Sequence, residues 1–349
     1  MCGPIHVSSC SKKVTGLEAT DVLMPAGVFN FAGQAKVDTF GIDLRAMIDT
    51  EDYDEIMVNR YQLSLEAIRK HADEFSYWQH RRNTGRPPVR ERDLLVAFLV
   101  RQLFDATFRE TEGLLVLLAD YFELDRVPDF TVLCRKNASR RWLIVWRRFF
   151  AFVLERLPRR TIVAATDASG FSGRKRSWRE TEYGIKATES WVKLHAVIEV
   201  DSFFVLSYVL TDSDVHESQM FKEAWNGLPS NVEVKRSLAD SAYNGEPCLV
   251  VARLHGATPI HALKKNARFF SRPKTLYQKM ANFARHWPNR FASLYAKRNH
   301  AETAFSMIQC LFGYRLRCRS EIGRKNEVQA KISMFNLFLL ARGGFLWND

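Results

Sequence analysis

The sequence predicts a mixed α/β protein in which a helical first part precedes a sheet flanked by helices. Three observations carry this. Apolar residues recur at helical spacing from Glu51 to roughly Pro158. From there to Asp240 the period shortens to that of strands, with Thr161–Asp167, Trp191–Val200, Phe203–Thr211 and Val232–Asp240 as candidates. Helical spacing then returns in Tyr295–Phe312. A chain of 349 residues has room for two domains, and 46% hydrophobic with 26% charged residues is ordinary for a globular protein in water.

Residues 1–50 mix Gly, Pro, Ser and Thr without a period and read as a loosely ordered leader. The helical part, 51–157, contains strongly apolar segments at Leu94–Leu99 and Leu114–Leu118. Pro128-Asp129-Phe130-Thr131 interrupts it and offers Asp129 or Thr131 as an N-cap. One helix is expected next, with Arg135, Lys136, Arg140, Arg141, Arg147 and Arg148 around Trp142, Val145, Trp146 and Phe149. A phosphate-binding face and a merely solvated face explain those charges equally well.

In the third part, 158–349, TIVAATDASGF (Thr161–Phe171) gives a buried strand, then Asp167, then a turn at Ser169-Gly170. Asp201-Ser202 makes an antiparallel hairpin of the next two strands, and His216–Trp225 reads as a helix. His216 itself is best read as an N-terminal helix residue in a turn. Val232–Asp240 is another strand ending in a carboxylate.

The chain carries a formal charge of +12, which favours a polyanionic partner, and the surplus is concentrated. Pro247 to Ala301, 55 positions, contains eleven Lys and Arg and no Asp or Glu, with Phe269, Phe270, Tyr277, Phe283, Trp287 and Phe291 interleaved. Such a surface suits a nucleic-acid backbone better than a solvated basic face over an aromatic core. A short basic insertion of about 247–290 is the expected location. The six cysteines are scattered, with no zinc spacing. No apolar run reaches the roughly 18 residues of a membrane span and no signal peptide is visible, so a cytoplasmic protein is expected.

Placed on one helix, Tyr295, Arg298, Glu302 and Gln309 fall in a stripe about 60° wide. Ala301, Ala304, Phe305, Ile308, Leu311 and Phe312 face a core beside it, and Gly313 offers a stop. An Arg298–Glu302 pair is the structural role for Glu302, in the weaker i,i+4 orientation. Asp167 and Asp240 have structural roles as turn or cap residues. Two strand-ending aspartates and a helix glutamate beside an acid-free basic tract are nonetheless what phosphodiester chemistry requires. A pair of Mg²⁺ ions about 4 Å apart can activate the attacking oxygen and stabilise the leaving one, and a few carboxylates on rigid elements hold them.

TDASGF around Asp167, LADSAYNG around Asp240, and Tyr295-x2-Arg298-x3-Glu302 followed by FSMIQCLFGYRLRCRS resemble the catalytic blocks of DDE transposases of bacterial and archaeal insertion sequences. KLHAVIEVD and DVHES are in the same style, and DLLVAFLVRQLF through VPDFTVLCRKNA resembles that family's helical N-terminal region. The resemblance implies an RNase H-like catalytic domain preceded by an all-helical domain for DNA binding or dimerisation. It also implies metal-dependent cutting and joining of double-stranded DNA at element ends, by at least a homodimer associated with the nucleoid. Asp167, Asp240 and Glu302 would hold two Mg²⁺ (or Mn²⁺), with Asp167 bridging, and Tyr295 and Arg298 would position phosphates. Lys297, Lys264, Lys265, Arg174, Lys175 and Arg176 are further candidates for DNA contact, and Trp178 either stacks on a base or folds onto the domain. One departure is plain: the family has Lys seven residues after the Glu, and this chain has the neutral Gln309, which can still donate to a phosphate. The alternatives are a nuclease of the same fold that does not join, and a catalytically silent DNA-binding protein.

Overall fold

Six helices come first: α1 (Thr50–Val58), α2 (Arg60–Glu74), α3 (Glu91–Leu103), α4 (Phe108–Leu117), α5 (Phe130–Asn137) and α6 (Arg140–Leu154). The computed structural model describes residues 50–75, 88–181, 184–212, 215–264 and 267–343, with backbone alone at 50–53, 174–181 and 184–190. The leader before Thr50 lies outside the described residues. Several helix starts have local causes. Thr107 and Glu110 form a capping box on α4, and Asp129 caps α5 by accepting from the Thr131 amide at 2.7 Å.

The basic stretch expected as one helix is two, α5 and α6, broken at Ala138-Ser139. The buried Asn326 side chain donates to the carbonyls of Asn137 (2.7 Å) and Ser139 (3.1 Å), which a continuous helix would have used internally. Helix α6 buries Trp142, Val145, Trp146 and Phe149 on one side and exposes Arg140, Ile144, Arg147 and Arg148 on the other.

The sheet contains β1 (Arg160–Thr181), β2 (Gly184–Glu199), β3 (Val205–Asp212), β4 (Val232–Ala239), β5 (Thr258–His261) and the short β6 (Arg315–Leu316). Its order is β3-β2-β1-β4-β5, with β6 beside the outer part of β1. The β1–β2 and β2–β3 pairs are antiparallel, and β1–β4, β4–β5 and β1–β6 are parallel. Among the described residues the sheet is thus mixed and six-stranded. Helices α7 (Glu217–Asn226), α8 (Glu246–Leu254), α9 (Leu276–His286), α10 (Pro288–Tyr295), α11 (Asn299–Phe312) and α12 (Glu321–Gly343) complete the fold. This is the RNase H-like mixed sheet flanked by helices that the sequence predicts.

Two further expectations need correction. Ser169-Gly170 does not turn the chain: β1 runs on through it, with Gly170 opposite Lys193. The glycine is required for space, since a Cβ there would lie 2.7 Å from the Trp191 ring. The segment Tyr295–Phe312 is also not one helix, because α10 ends at Tyr295 and a 3₁₀ turn, Ala296–Arg298, precedes α11. A 3₁₀ residue advances by about 120° rather than 100°, so the four-residue stripe is not continuous. The tighter turn brings Arg298 between two carboxylates.

Helix α12 ties the helices to the sheet, packing on α2, α3, α5, α6, β2 and β3. Several of its polar residues are buried and paired. Glu327 accepts from Arg101 (3.1 Å) and from the amides of Arg317 and Cys318, while Asn336 both accepts from and donates to the Val205 backbone. Buried groups of this kind are tolerated only when satisfied. No described helix is long and apolar enough to cross a membrane.

Candidate active site

Strand register brings the two aspartates together. Thr166 on β1 is paired with Ala239, the last residue of β4, so Asp167, within β1, and Asp240, just past the end of β4, lie side by side, where strands lie about 4.8 Å apart. Thr166 points toward α7, accepting from the Trp225 indole N–H at 3.0 Å. Alternation along the strand therefore sends Asp167 to the opposite face, toward Arg298. Asp240 also caps a 3₁₀ turn (Ser241–Tyr243), its Oδ1 accepting from the Ala242 amide at 2.9 Å. Its structural role is thus real, and the cap fixes its direction.

Glu302 enters from the first turn of α11, which is held on β1 and β2 by buried Ala301, Ala304, Phe305, Ile308 and Phe312. The helix stops at Gly313, whose φ of 78° is one that glycine adopts freely. Arg298 joins the parts. Its Nη2 donates to Asp167 Oδ2 at 3.2 Å, and its Nη1 donates to Glu302 Oε1. The expected Arg298–Glu302 pair forms, but as half of a bridge.

The electrostatics are unusual for an ion-paired aspartate. Burial pushes the Asp167 carboxyl up to about 6, Arg298 and the Ala168 amide oppose this, and the charges of Asp240 and Glu302 add to it. One guanidinium is outweighed by burial and two further carboxylates. Burial also acts against the Arg298 charge, but Asp167 and Glu302 overcome it and raise its pKa. Tyr295 is raised as well, by burial first, with Asp240, Asp167 and Glu302 contributing. Its ring stacks on Phe291.

The remaining candidates divide by location. Gln309 donates to Ser169 Oγ at 3.1 Å, beside Asp167. Lys297 is exposed and paired with Asp201 beyond the end of β2, away from the carboxylates. Lys264 is exposed just after β5. Lys265 lies outside the described residues, as do the side chains of Arg174, Lys175, Arg176 and Trp178. His216 is the N-cap of α7, with Nδ1 accepting from the Ser218 amide.

Along the acid-free tract, Arg253, Arg268, Arg272, Lys274, Lys279, Arg285 and Arg290 are exposed. Phe269 and Trp287 are exposed with them, whereas Phe283 and Phe291 pack against the core. The tract thus divides into an exposed basic face and aromatics that pack beneath it. Part of it, α8 and β5, belongs to the main sheet unit.

Two residues near Asp240 carry no signal in the sequence. His261 on β5 is fully buried, with Nδ1 2.9 Å from the Tyr243 carbonyl and Nε2 2.9 Å from Ser237 Oγ, so it clamps the turn after Asp240. Tyr243 is also fully buried, and its hydroxyl has no hydrogen-bond partner among the described residues. The LADSAYNG block contains Tyr243, but nothing local connects it with His261.

The donor set around Asp167 is oxygen-only, as Mg²⁺ prefers, and its negative charge is in excess. Among the described residues no three His, Cys, Asp or Glu side chains are gathered into a ready-made cation cage. Here a guanidinium supplies the positive charge between Asp167 and Glu302, standing in for a cation. The carboxylates fit a divalent metal in chemistry and in charge. Compared with known proteins, residues 158–339 match the family model for the transposase DDE domain. The match takes in β1 to β6, all three carboxylates and most of α12.

Proposed function

The chain belongs to the transposase DDE-domain family, and we propose that it cuts DNA at the ends of an insertion sequence and joins those ends to target DNA. DNA cleavage in transposition is the general activity of the family, and divalent metal ions generally serve it. The observation that carries the finer reading is the register that sets Asp167, within β1, beside Asp240, at the end of β4, with Glu302 linked to Asp167 through Arg298.

In this proposal Asp167, Asp240 and Glu302 hold two Mg²⁺ ions, for which Mn²⁺ substitutes. Bound there, the ions would supply an activated oxygen nucleophile and a stabilised leaving oxygen. Water oxygen forms a bond to phosphorus as the bond to the 3′ oxygen breaks, leaving a 5′ phosphate and a free 3′-hydroxyl. That hydroxyl then attacks a target phosphodiester in the same way. The protein would position the strand: Arg298 and Tyr295 would hold a phosphate near the carboxylates, and Gln309 holds Ser169 next to Asp167. The exposed basic residues from Arg253 to Arg290 track the backbone. The outer face of α5 and α6 supports a DNA-binding role for the helical part, because Phe130–Leu154 contains six Lys and Arg and no acid. Handling two ends calls for at least a dimer acting on the nucleoid.

A second reading, a DNA-binding protein that does not cut, is favoured by Gln309, a neutral group already engaged by Ser169. Incubation with DNA that carries the sequences flanking the reading frame, with Mg²⁺ or Mn²⁺, separates the readings. Cut and joined products support transposition, cuts alone support a nuclease, and a gel shift without either supports the silent binder.

A further inference from the structure

Arg298 holds two of the carboxylates that the proposed function assigns to metal, and the role inferred for it rests on that assignment. Its side chain is 12% exposed and that of Asp167 is 11% exposed, which makes the contact a largely desolvated one. Both terminal nitrogens are committed, Nη2 to Asp167 and Nη1 to Glu302. The Nε is buried and has no hydrogen-bond partner among the described residues. The guanidinium thus satisfies the carboxylates better than they satisfy it. A buried donor left unpaired has a free-energy cost, so a ligand offering another oxygen would be favoured.

Charge makes the contact exclusive. Three carboxylates with one guanidinium leave the cluster negative, but two divalent ions in the same place would make it positive and repel the arginine. An oxygen turned toward an N–H is also closed to a metal in that direction. A backbone phosphate of DNA is the acceptor that fits a guanidinium, by charge and by its paired oxygens. Neighbouring Lys297 is directed elsewhere, to Asp201 at the surface.

We infer that Arg298 is a positioning residue that occupies the carboxylates until a DNA phosphate draws it away, so that DNA binding and metal binding are coupled through this one side chain. Such coupling is reciprocal, and interactions of this type are commonly worth between about 5-fold and 150-fold in affinity. Without DNA the carboxylates bind metal more weakly. Loading a strand opens them, which confines the reactive state to the complex.

The test measures Mn²⁺ affinity by the loss of the free-ion EPR signal, for the full chain alone and with a duplex, after subtracting Mn²⁺ bound by that duplex alone. For the parent, DNA should tighten Mn²⁺ binding by at least about fivefold. Arg298→Ala without DNA should bind Mn²⁺ more tightly than the parent by a similar factor, and DNA should then change its affinity by less than about twofold. Arg298→Gln, which keeps a polar side chain with an N–H donor but not the charge, should move in the same direction. Its measurement stands in if the alanine variant does not fold. Coupling that persists in both variants, or Mn²⁺ binding no tighter than in the parent, overturns the inference. If Asp167→Asn leaves Mn²⁺ binding unchanged, the assignment of the carboxylates to metal fails instead, and the coupling fails with it.

Discussion

Replacing Asp167 by Asn should stabilise the metal-free protein, with the gain confined to pH values at which the carboxyl ionises. Burial, reinforced by Asp240 and Glu302 and opposed by Arg298, moves this group from 3.8 to about 6. A folded-state value above the unfolded one means that the native protein holds the proton more tightly than the unfolded chain. Stability is therefore fully present below about 3.8 and is lost as pH rises toward and through about 6. At about 1.4 kcal/mol per pH unit, the whole loss is about 3 kcal/mol, reached above pH 6 or so. Asparagine mimics the protonated acid and escapes that loss. Urea unfolding followed by tryptophan fluorescence, in EDTA, should show the variant more stable by about 3 kcal/mol near pH 7.5 and by well under 1 kcal/mol near pH 4. Other titrating groups are common to both proteins and largely cancel. Equal stability near pH 7.5, or a gain of the same size at both pH values, would refute the argument that desolvation dominates this carboxylate.

Asp167→Asn and Glu302→Gln should each abolish DNA cleavage while still binding duplex, read from gels and from fluorescence anisotropy; full cleavage by either variant contradicts the metal assignment. Gln309→Lys adds a cation beside Asp167 and should raise end processing, measured as initial cleavage rate; an unchanged or lower rate argues against a missing charge as the limitation. Arg135, Arg140 and Arg147 are exposed and make no ion pair among the described residues. Changing all three to Gln should lower the slope of log Kd against log salt by about 0.9 for each phosphate no longer neutralised; an unaltered slope removes α5 and α6 from the DNA interface. Glu327→Ala leaves buried Arg101 uncompensated and should cost about 3–5 kcal/mol in denaturant unfolding; a loss under about 1 kcal/mol would show that the pair is unimportant.

The sheet is legible because its signals are local. Apolar runs ended by Asp167 and Asp240 mark β1 and β4, and in-register pairing brings the two residues together without any further assumption. The caps at Asp129 and His216 are equally readable, since each depends on two or three adjacent residues. Helix α12 is not. Glu327, Lys331, Asn326 and Asn336 are buried with partners more than 100 residues away or across a turn, so polar residues do not mark its outer face and the helical period is hidden. The breaks at Ala138 and at Ala296–Arg298 are hidden for a related reason. Asn326 and the two carboxylates that meet Arg298 act from other elements, and 100° spacing cannot anticipate them. Gly170 misleads because glycine serves equally as a turn residue and as room for the Trp191 ring.

The claim underlying the account is that Asp167, Asp240 and Glu302 share divalent cations once DNA is bound. Anomalous scattering from a crystal of the protein with duplex DNA and Mn²⁺ measures this directly. The account predicts manganese peaks contacted by all three carboxylates, with the Arg298 guanidinium on a phosphate. Peaks held by other side chains, or no manganese at these three with DNA in the cleft, would contradict it.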